Sequence, residues 1–527
     1  MKDKNINVEI TVLSIVGVLA VALSLIVSPE ASLKAINGVF DFISTAFGTP
    51  LLWYSLAATL ICFYLACTRY GKIRMGEEKP EYSLFSYVGM MICAGLASAS
   101  VYFSFIEWIY FYTKPAQGIE PMSVLAAEFA PAYSFNYWGL LSWPPFVLAA
   151  LPIAMSYYKR NNPALRYSIV CEDLFSLKQG SLWGRIIDFL FVVTTLGGLS
   201  VTLGLGVPLI SSIIAYITGI PNGFTLQVII VIVIAVIFSL SSYVGIDKGM
   251  KRISDFNIYV AIAFVAFLFL AGPTVFLMKY ITNGVALAVH NYLPILFWTD
   301  PVNNGGFSEA WIIFYICFAV AYAPLMSLFI TKISRGRTVK EMILSTVLGG
   351  TFGCILLFGV NGGYGMHAQL TGLSDVIGTF GKGDSGATVL LILSNLPVPL
   401  ILAAVVFCVM LILFLATSLD SASFSLAATA TRNMDKNHSP SPFLRLFWCV
   451  VLALIPLGLM FAGAPLSAIQ TVCLATATPF ALVSIVFIWK SMRWFREEAD
   501  KLEDGGAAAV REEIFVQETI ITDRENT

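Results

Sequence analysis

Long apolar runs dominate the chain, and they remove most folds from consideration. Stretches of eighteen or more residues with almost no charge recur from end to end, each long enough to cross the roughly 30 Å hydrocarbon core of a bilayer. A backbone in lipid must satisfy its own hydrogen bonds, so such runs form helices. Of 527 residues, 58% are hydrophobic and 12% charged, whereas a soluble domain carries about a quarter charged residues. The sequence predicts an all-α polytopic membrane protein with 12 transmembrane helices, at 8–28, 50–68, 84–112, 137–158, 184–216, 225–245, 255–280, 309–331, 341–363, 397–430, 444–463 and 466–490. The first run follows Met1-Lys2-Asp3-Lys4 and lacks a small-residue cleavage site, so it reads as a retained helix rather than a signal peptide.

The charges give the orientation. Lys2 and Lys4, the Arg69–Lys79 loop, Lys159-Arg160-Arg166, Lys248-Lys251-Arg252, Lys332–Lys340, Arg432 with Lys436, and Lys490–Arg496 fall at the termini or in alternate loops. The intervening loops hold little beyond Lys34, Lys114, Lys279 and Lys382. The positive-inside rule then puts both termini in the cytoplasm. A net charge of −1 gives no reason to expect a nucleic acid partner. The nine cysteines show no CxxC spacing and read as small core residues rather than a disulfide frame or zinc site. His290, His367 and His438 lie near span ends or in loops, and the sequence has no P-loop. A membrane enzyme would need acids, histidines or cysteines clustered at depth, so a non-enzyme is expected. Residues 281–300, with Asn283, His290, Asn291, Pro294, Trp298 and Asp300, are too polar to span and suit an amphipathic helix on the outer surface. The tail beyond Arg496 is polar and mixed in sign, a composition for a disordered or loosely helical segment.

Several spans carry more small residues than packing alone needs. Span three contains Cys93-Ala94-Gly95-Leu96-Ala97-Ser98-Ala99-Ser100, and span five runs from Gly197-Gly198 to Gly204-Leu205-Gly206. Two readings stay open: close helix–helix approach, or helix unwound around a mid-membrane site. Glu107, the one acid well inside span three, is either a functional group, the default for an intramembrane carboxylate, or a structural acid held by hydroxyls and backbone. Phe103, Glu107 and Tyr110 share one helical stripe. Span four opens with Tyr137-Trp138-Gly139 and adds Trp143. Span eight aligns Trp311, Tyr315, Phe318, Tyr322 and Met326, and Pro324 is expected to break that helix. Such stripes serve either core packing or a ligand box. As a box, ring faces attract a cation that hydrogen bonds cannot reach, and a quaternary ammonium is the usual guest.

Gly71-Lys72-Ile73-Arg74-Met75-Gly76 with Lys79-Pro80-Glu81, the Cys93–Ser100 stretch, Trp138-Gly139 with Trp143, Trp311 through Ile333-Ser334-Arg335-Gly336-Arg337-Thr338, and Thr417-Ser418-Leu419-Asp420-Ser421 together resemble the betaine/choline/carnitine transporters. The match covers roughly 10–490, and its most specific piece is Ile333–Thr338 directly after span eight. Ala94–Ser100, Ile106-Glu107-Trp108 and Thr299-Asp300-Pro301 look most like the carnitine/γ-butyrobetaine exchanger within that family.

The resemblance implies a LeuT-type 5+5 inverted repeat preceded by two extra helices. Segment 1–80 would hold the extra helices, 81–282 the first repeat, 283–304 the amphipathic outer helix, 305–490 the second repeat and 491–527 a cytoplasmic tail. It also implies a homotrimer in a bacterial cytoplasmic membrane, with no cofactor unless Na+. The substrate site would lie between spans three, four and eight, with rings from Trp138, Trp143, Phe318 and Tyr322, and with Phe103, Glu107 and Tyr110 nearby. Where the family is tryptophan-rich, this chain reads Ile316-Cys317-Phe318-Ala319, so the box is degenerate at Ala319. For sodium-coupled relatives the resemblance points to the Thr417 and Ser418 hydroxyls with the Phe414, Cys93 and Leu96 carbonyls as sodium ligands, an all-oxygen set suited to a hard cation. The other reading of those hydroxyls is bonding back to helical carbonyls. In the sodium-independent exchanger a methionine at the place of Met326 substitutes for that ion, and an arginine stands where this chain has Asn257. One exchanger mark is therefore present and one absent. The expected function is alternating-access transport of quaternary ammonium compounds by symport or exchange. The alternatives are a sodium-independent exchanger of a different zwitterion, or a substrate sensor on the same fold, for which a tail of roughly 35 residues is short. The tail is not basic, which favours nutrient uptake or exchange over osmosensing.

Overall fold

The computed structural model describes residues 8–525 except Ala97, Asn161, 163–164, 245–250 and 432–439. Lys2, Lys4, Ala97, Lys248, Arg432, Lys436 and His438, cited above, lie outside the described residues, as do the side chains of Cys93, Lys251, Arg252 and 505–527. Among the described residues all regular structure is helical: α1 Val8–Val27, α2 Pro29–Cys67, α3 Leu84–Gly95, α4 Ser98–Thr113, α5 Val124–Trp138, α6 Trp143–Lys159, α7 Tyr167–Leu174, α8 Leu182–Thr218, α9 Phe224–Val244 and α10 Lys251–Ala271. The second half holds α11 Thr274–His290, α12 Tyr292–Leu296, α13 Phe314–Ile333, α14 Val339–Leu344, α15 Gly350–Leu370, α16 Val376–Phe380, α17 Ser385–Leu393, α18 Leu400–Thr429, α19 Pro442–Phe461 and α20 Leu466–Glu525. Among the described residues, eight helices are long and apolar enough to cross a membrane, nine if the bent α10–α11 pair is one span.

Two local features depart from the sequence reading and two settle alternatives it leaves open, each for a physical reason. Span seven was expected to run to 280, but α10 stops at Ala271, and Gly272-Pro273 turns the chain by 111° into α11. The proline ring cannot continue a helix that glycine has already loosened. The amphipathic segment thus begins at Thr274, and packs on α5 and α15. Pro324 does not break α13, which runs on to Ile333. In an apolar layer a broken helix would strand backbone groups, and the Ser327 hydroxyl donates to the Pro324 carbonyl at 2.8 Å. The glycines of span five lie in an unbroken α8, where they permit close approach: a β-carbon at Gly198 would meet Ala321 of α13 at 3.1 Å. Finally α20 continues as helix through the polar tail, tethered by Arg69 to Asp500 and Glu503 and by Arg160 to Glu497.

Two of the quoted phrases, 71–76 and 333–338, meet in space. Met75 N–H donates to Arg337 O (2.8 Å), Gly336 N–H to Met75 O (2.6 Å) and Val339 N–H to Ile73 O (2.9 Å), a short antiparallel bridge. Gly336 has φ +75°, and a β-carbon there would lie 2.5 Å from Glu78 O. Both conditions demand glycine. Arg337 lies 4.9 Å over the Tyr87 ring and donates to Tyr82 O, while Thr338 and Glu341 close a capping box on α14. Arg335 pairs with Glu78 at 2.9 Å.

Candidate functional site

The small-residue stretch of span three is where its helix is interrupted. α3 ends at Gly95, Leu96 takes an extended backbone (φ −86°, ψ 96°), and α4 begins at Ser98. A second interruption, 139–142, separates Trp138 at the end of α5 from Trp143 at the start of α6. The two interruptions are thus flanked by the two tryptophans and by the glycine that faces Trp143.

Trp143 is held by absence of side chains. A β-carbon at Gly95 or at Gly350 would fall well inside 3.0 Å of its indole, so the ring is sandwiched between two glycine backbones. Its Nε1 points at Cys354 Sγ, 3.5 Å away. Trp138 is held by rings and by an acid. Its centroid lies 5.9 Å from Phe103, 5.3 Å from Tyr315, 5.7 Å from Phe318 and 5.0 Å from Phe358. Its Nε1 donates to Glu107 Oε1 at 3.0 Å. Ser134 and Tyr315 also donate to that carboxylate, which is fully buried. Three donors on a buried acid match the structural alternative for Glu107, a clamp whose hydrogen bonds offset part of its desolvation.

Trp138, Trp143, Phe318 and Tyr322 line one cavity, together with Ala319, Gly95, Ser142, Phe146 and Cys354. The Phe318 and Tyr322 centroids are 5.0 Å apart and edge-on, and the Tyr322 hydroxyl bonds the Thr202 hydroxyl of α8. The enclosed space is about 20 Å³, room for about one water. The rings are therefore closed upon one another, and a larger guest requires them to part.

The other expected site residues sit elsewhere. Glu107 and Phe103 stand behind Trp138 rather than on the cavity wall. Tyr110 turns away, packing on Trp311 (4.7 Å) and Phe380 (5.1 Å). The Thr417 hydroxyl donates to Leu413 O and Phe414 O, both at 3.0 Å, the helix-bonded alternative of the two. Thr417 and Ser418 are half-buried on α18. Gly206 of α8 brings the neighbourhood together, because a β-carbon there would meet Ser98 Oγ at 3.0 Å and Leu415 Cδ1 at 3.2 Å. The α3–α4 interruption thus abuts the helix of Thr417. Met326 is buried on α13, and Asn257 is buried on α10 with Oδ1 lacking a partner among the described residues.

Sequence reasoning missed Phe146, Phe358, Ser142 and Cys354. Phe146 lies one helical turn after Trp143, a signal at i+3. Nothing marked Phe358 or Cys354 apart from ordinary core residues. It also missed the buried ion pair between Asp420 of α18 and Arg445 of α19.

Comparison with known proteins agrees with these motifs. A model of the betaine/carnitine/choline family transporters matches residues 9–500. A carnitine transporter of Acinetobacter baumannii is 33% identical over 493 residues, 94% of this chain and 90% of that one. The uncharacterized transporter YeaV of Escherichia coli (strain K12) is 36% identical over 443 residues, 84% of this chain and 92% of its own. A solved structure of a Na+-coupled sialic acid symporter, substrate-bound and outward-open, aligns with a TM-score of 0.41 at 13% identity over 85% of this chain and 86% of that one, a likeness too loose to carry an argument. The family match over nearly the whole length, with the 33% identity to a carnitine transporter, establishes that the chain belongs to the betaine/carnitine/choline family of membrane transporters.

Proposed function

We propose that this protein moves quaternary ammonium compounds, of the betaine, carnitine and choline type, across a bacterial inner membrane by alternating access. The observation that carries the reading is the convergence of Trp138, Trp143, Phe318 and Tyr322 on one cavity. Ring faces attract a permethylated cation at about 0.5–2 kcal/mol per ring. The kinship with a carnitine transporter supports the substrate class. The LeuT-type repeat, twelve crossings that count α1, α9 and the interrupted α3–α4 among them, cytoplasmic termini and a homotrimer belong to the same proposal, with the substrate passing between repeats that rock about the two interruptions.

The collapsed cavity gives Ala319 a role. A methyl group there leaves the wall low on one side, so the box opens at lower cost for a bulkier or less symmetric guest and holds trimethylammonium less tightly. Glu107 acts from behind, fixing the Trp138 indole so that its face rather than its N–H meets the guest.

For coupling, Thr417 and Ser418, with the Phe414, Cys93 and Leu96 carbonyls, are the residues that would hold Na+. A hard cation takes oxygen donors, and the interruption at Leu96 supplies carbonyls freed from helical bonding. The ion would supply the gradient's driving force. Met326, buried on α13, favours a second reading, sodium-independent exchange of substrate for product. Uptake of labelled glycine betaine, choline, carnitine and γ-butyrobetaine into proteoliposomes, with and without a sodium gradient, separates the two: symport accelerates with the gradient, and exchange responds only to substrate loaded inside. If no quaternary ammonium moves under either condition, the substrate class is wrong.

A further inference from the structure

A second cavity of about 430 Å³ lies far from the box, between the end of α7 and residues 489–496 of α20. Four basic side chains line it, Arg160, Lys490, Arg493 and Arg496, against one acid, Asp173. Asp173 already accepts from Asn162 Nδ2 at 3.2 Å. Arg160 and Arg493 share Glu497, at 2.6 and 2.9 Å. Lys490 and Arg496 have no acid partner among the described residues. Lys490 lies over the Phe175 and Trp489 rings, at 5.4 and 5.2 Å. A cation over rings keeps its net charge, so the cavity carries unneutralised positive charge beside exposed aromatic surface.

The register of α20 shows which anion fits. Leu482, Val486 and Trp489 are 56%, 39% and 67% exposed, and Arg493 and Arg496 follow them at the same alternating spacing of four and three. One helix face therefore runs from an apolar stripe into the basic cavity, with tryptophan at the changeover, as at a membrane–water boundary. A free phosphate would need the charges alone. The stripe leading into them matches a molecule with a chain and an anionic head.

We propose that this cavity binds the phosphodiester headgroup of an anionic phospholipid, with its acyl chain along Leu482, Val486 and Trp489. The inference is independent of the transported substrate. The test reconstitutes the full chain in phosphatidylcholine bilayers containing brominated phosphatidylglycerol, or brominated phosphatidylcholine, and reads the quenching of Trp489 by subtraction against Trp489→Phe. Phosphatidylglycerol should quench Trp489 at far lower lipid fraction than phosphatidylcholine. Lys490→Gln/Arg496→Gln should weaken that preference about 25-fold, about fivefold per charge. Lys279→Gln/Lys382→Gln, the same change of charge elsewhere, should leave it intact. Equal quenching by the two lipids, or an unchanged preference in Lys490→Gln/Arg496→Gln, overturns the site. Loss of the preference in excess inorganic phosphate overturns the lipid assignment in favour of a soluble anion.

Discussion

Removing the Glu107 carboxylate should loosen the substrate box without touching its wall. Three buried donors converge on it, from Ser134, Trp138 and Tyr315. A hydrogen bond to a charged group contributes about 1.5–3 kcal/mol, and an orphaned buried donor costs a comparable amount. In Glu107→Ala the Trp138 arm is lost outright, and at most about 1.5–3 kcal/mol, roughly 10- to 150-fold, is available to appear in substrate affinity. Much of it will not appear, because Phe103, Phe318 and Phe358 still hold the indole at 5.0–5.9 Å. The expected loss is about tenfold in affinity. Glu107→Gln keeps an oxygen for two of the three donors, and should lose less than Glu107→Ala. Tryptophan fluorescence titration with glycine betaine and γ-butyrobetaine gives the affinity, and thermal unfolding of the same samples reports the fold. If Glu107→Ala binds with unaltered affinity while melting normally, the clamp does not orient Trp138 and the reasoning fails. If Glu107→Gln is the worse variant, the carboxylate's charge, rather than its geometry, serves the site.

Gly95→Ala and Gly350→Ala each drive a methyl group into Trp143, and overpacking of this kind costs about 1–3 kcal/mol. Both should lower substrate affinity, and Gly198→Ala, which meets Ala321 away from the cavity wall, should instead show mainly in melting temperature. Gly336→Ala combines a left-handed backbone with a clash against Glu78 O. It should destabilise the fold by about 1–2 kcal/mol or more, read as a lower melting temperature and faster proteolysis in the 73–80 loop. Thr417→Ala/Ser418→Ala should abolish the sodium dependence of uptake while leaving fluorescence-detected binding at saturating substrate. Unchanged sodium dependence removes that ion site.

The all-helical, multi-pass character was legible because lipid leaves so few options. Apolar length gave the helices, and the placement of lysine and arginine gave an orientation to test. The rings of the box were legible as stripes because Phe318 and Tyr322 lie one turn apart on a single helix. What could not be read depends on contacts between distant segments. Gly95 and Gly350 look like ordinary small residues until Trp143 is seen between them. Glu107 announced itself as an intramembrane acid, but its part as a clamp follows from Ser134 and Tyr315, 27 and 208 residues away. The Gly272-Pro273 turn was written in the sequence and was outweighed by apolar length. On local grounds Pro324 predicts a break, and the demand for satisfied backbone in lipid overrides it.

Recognition of positive charge through the ring faces of the box is tested most directly with isosteric ligands. Glycine betaine and 3,3-dimethylbutanoate share shape and carboxylate but differ in the charge at the quaternary centre, as do γ-butyrobetaine and 5,5-dimethylhexanoate. Dissociation constants for both pairs, measured on the wild-type chain and on Trp138→Ala, isolate the cation–ring contribution. Each betaine should bind at least severalfold tighter than the isostere whose quaternary centre is uncharged, with about 0.5–2 kcal/mol per ring, and Trp138→Ala should narrow the gap. Equal affinities within each pair, or a gap that Trp138→Ala leaves unchanged, would contradict it.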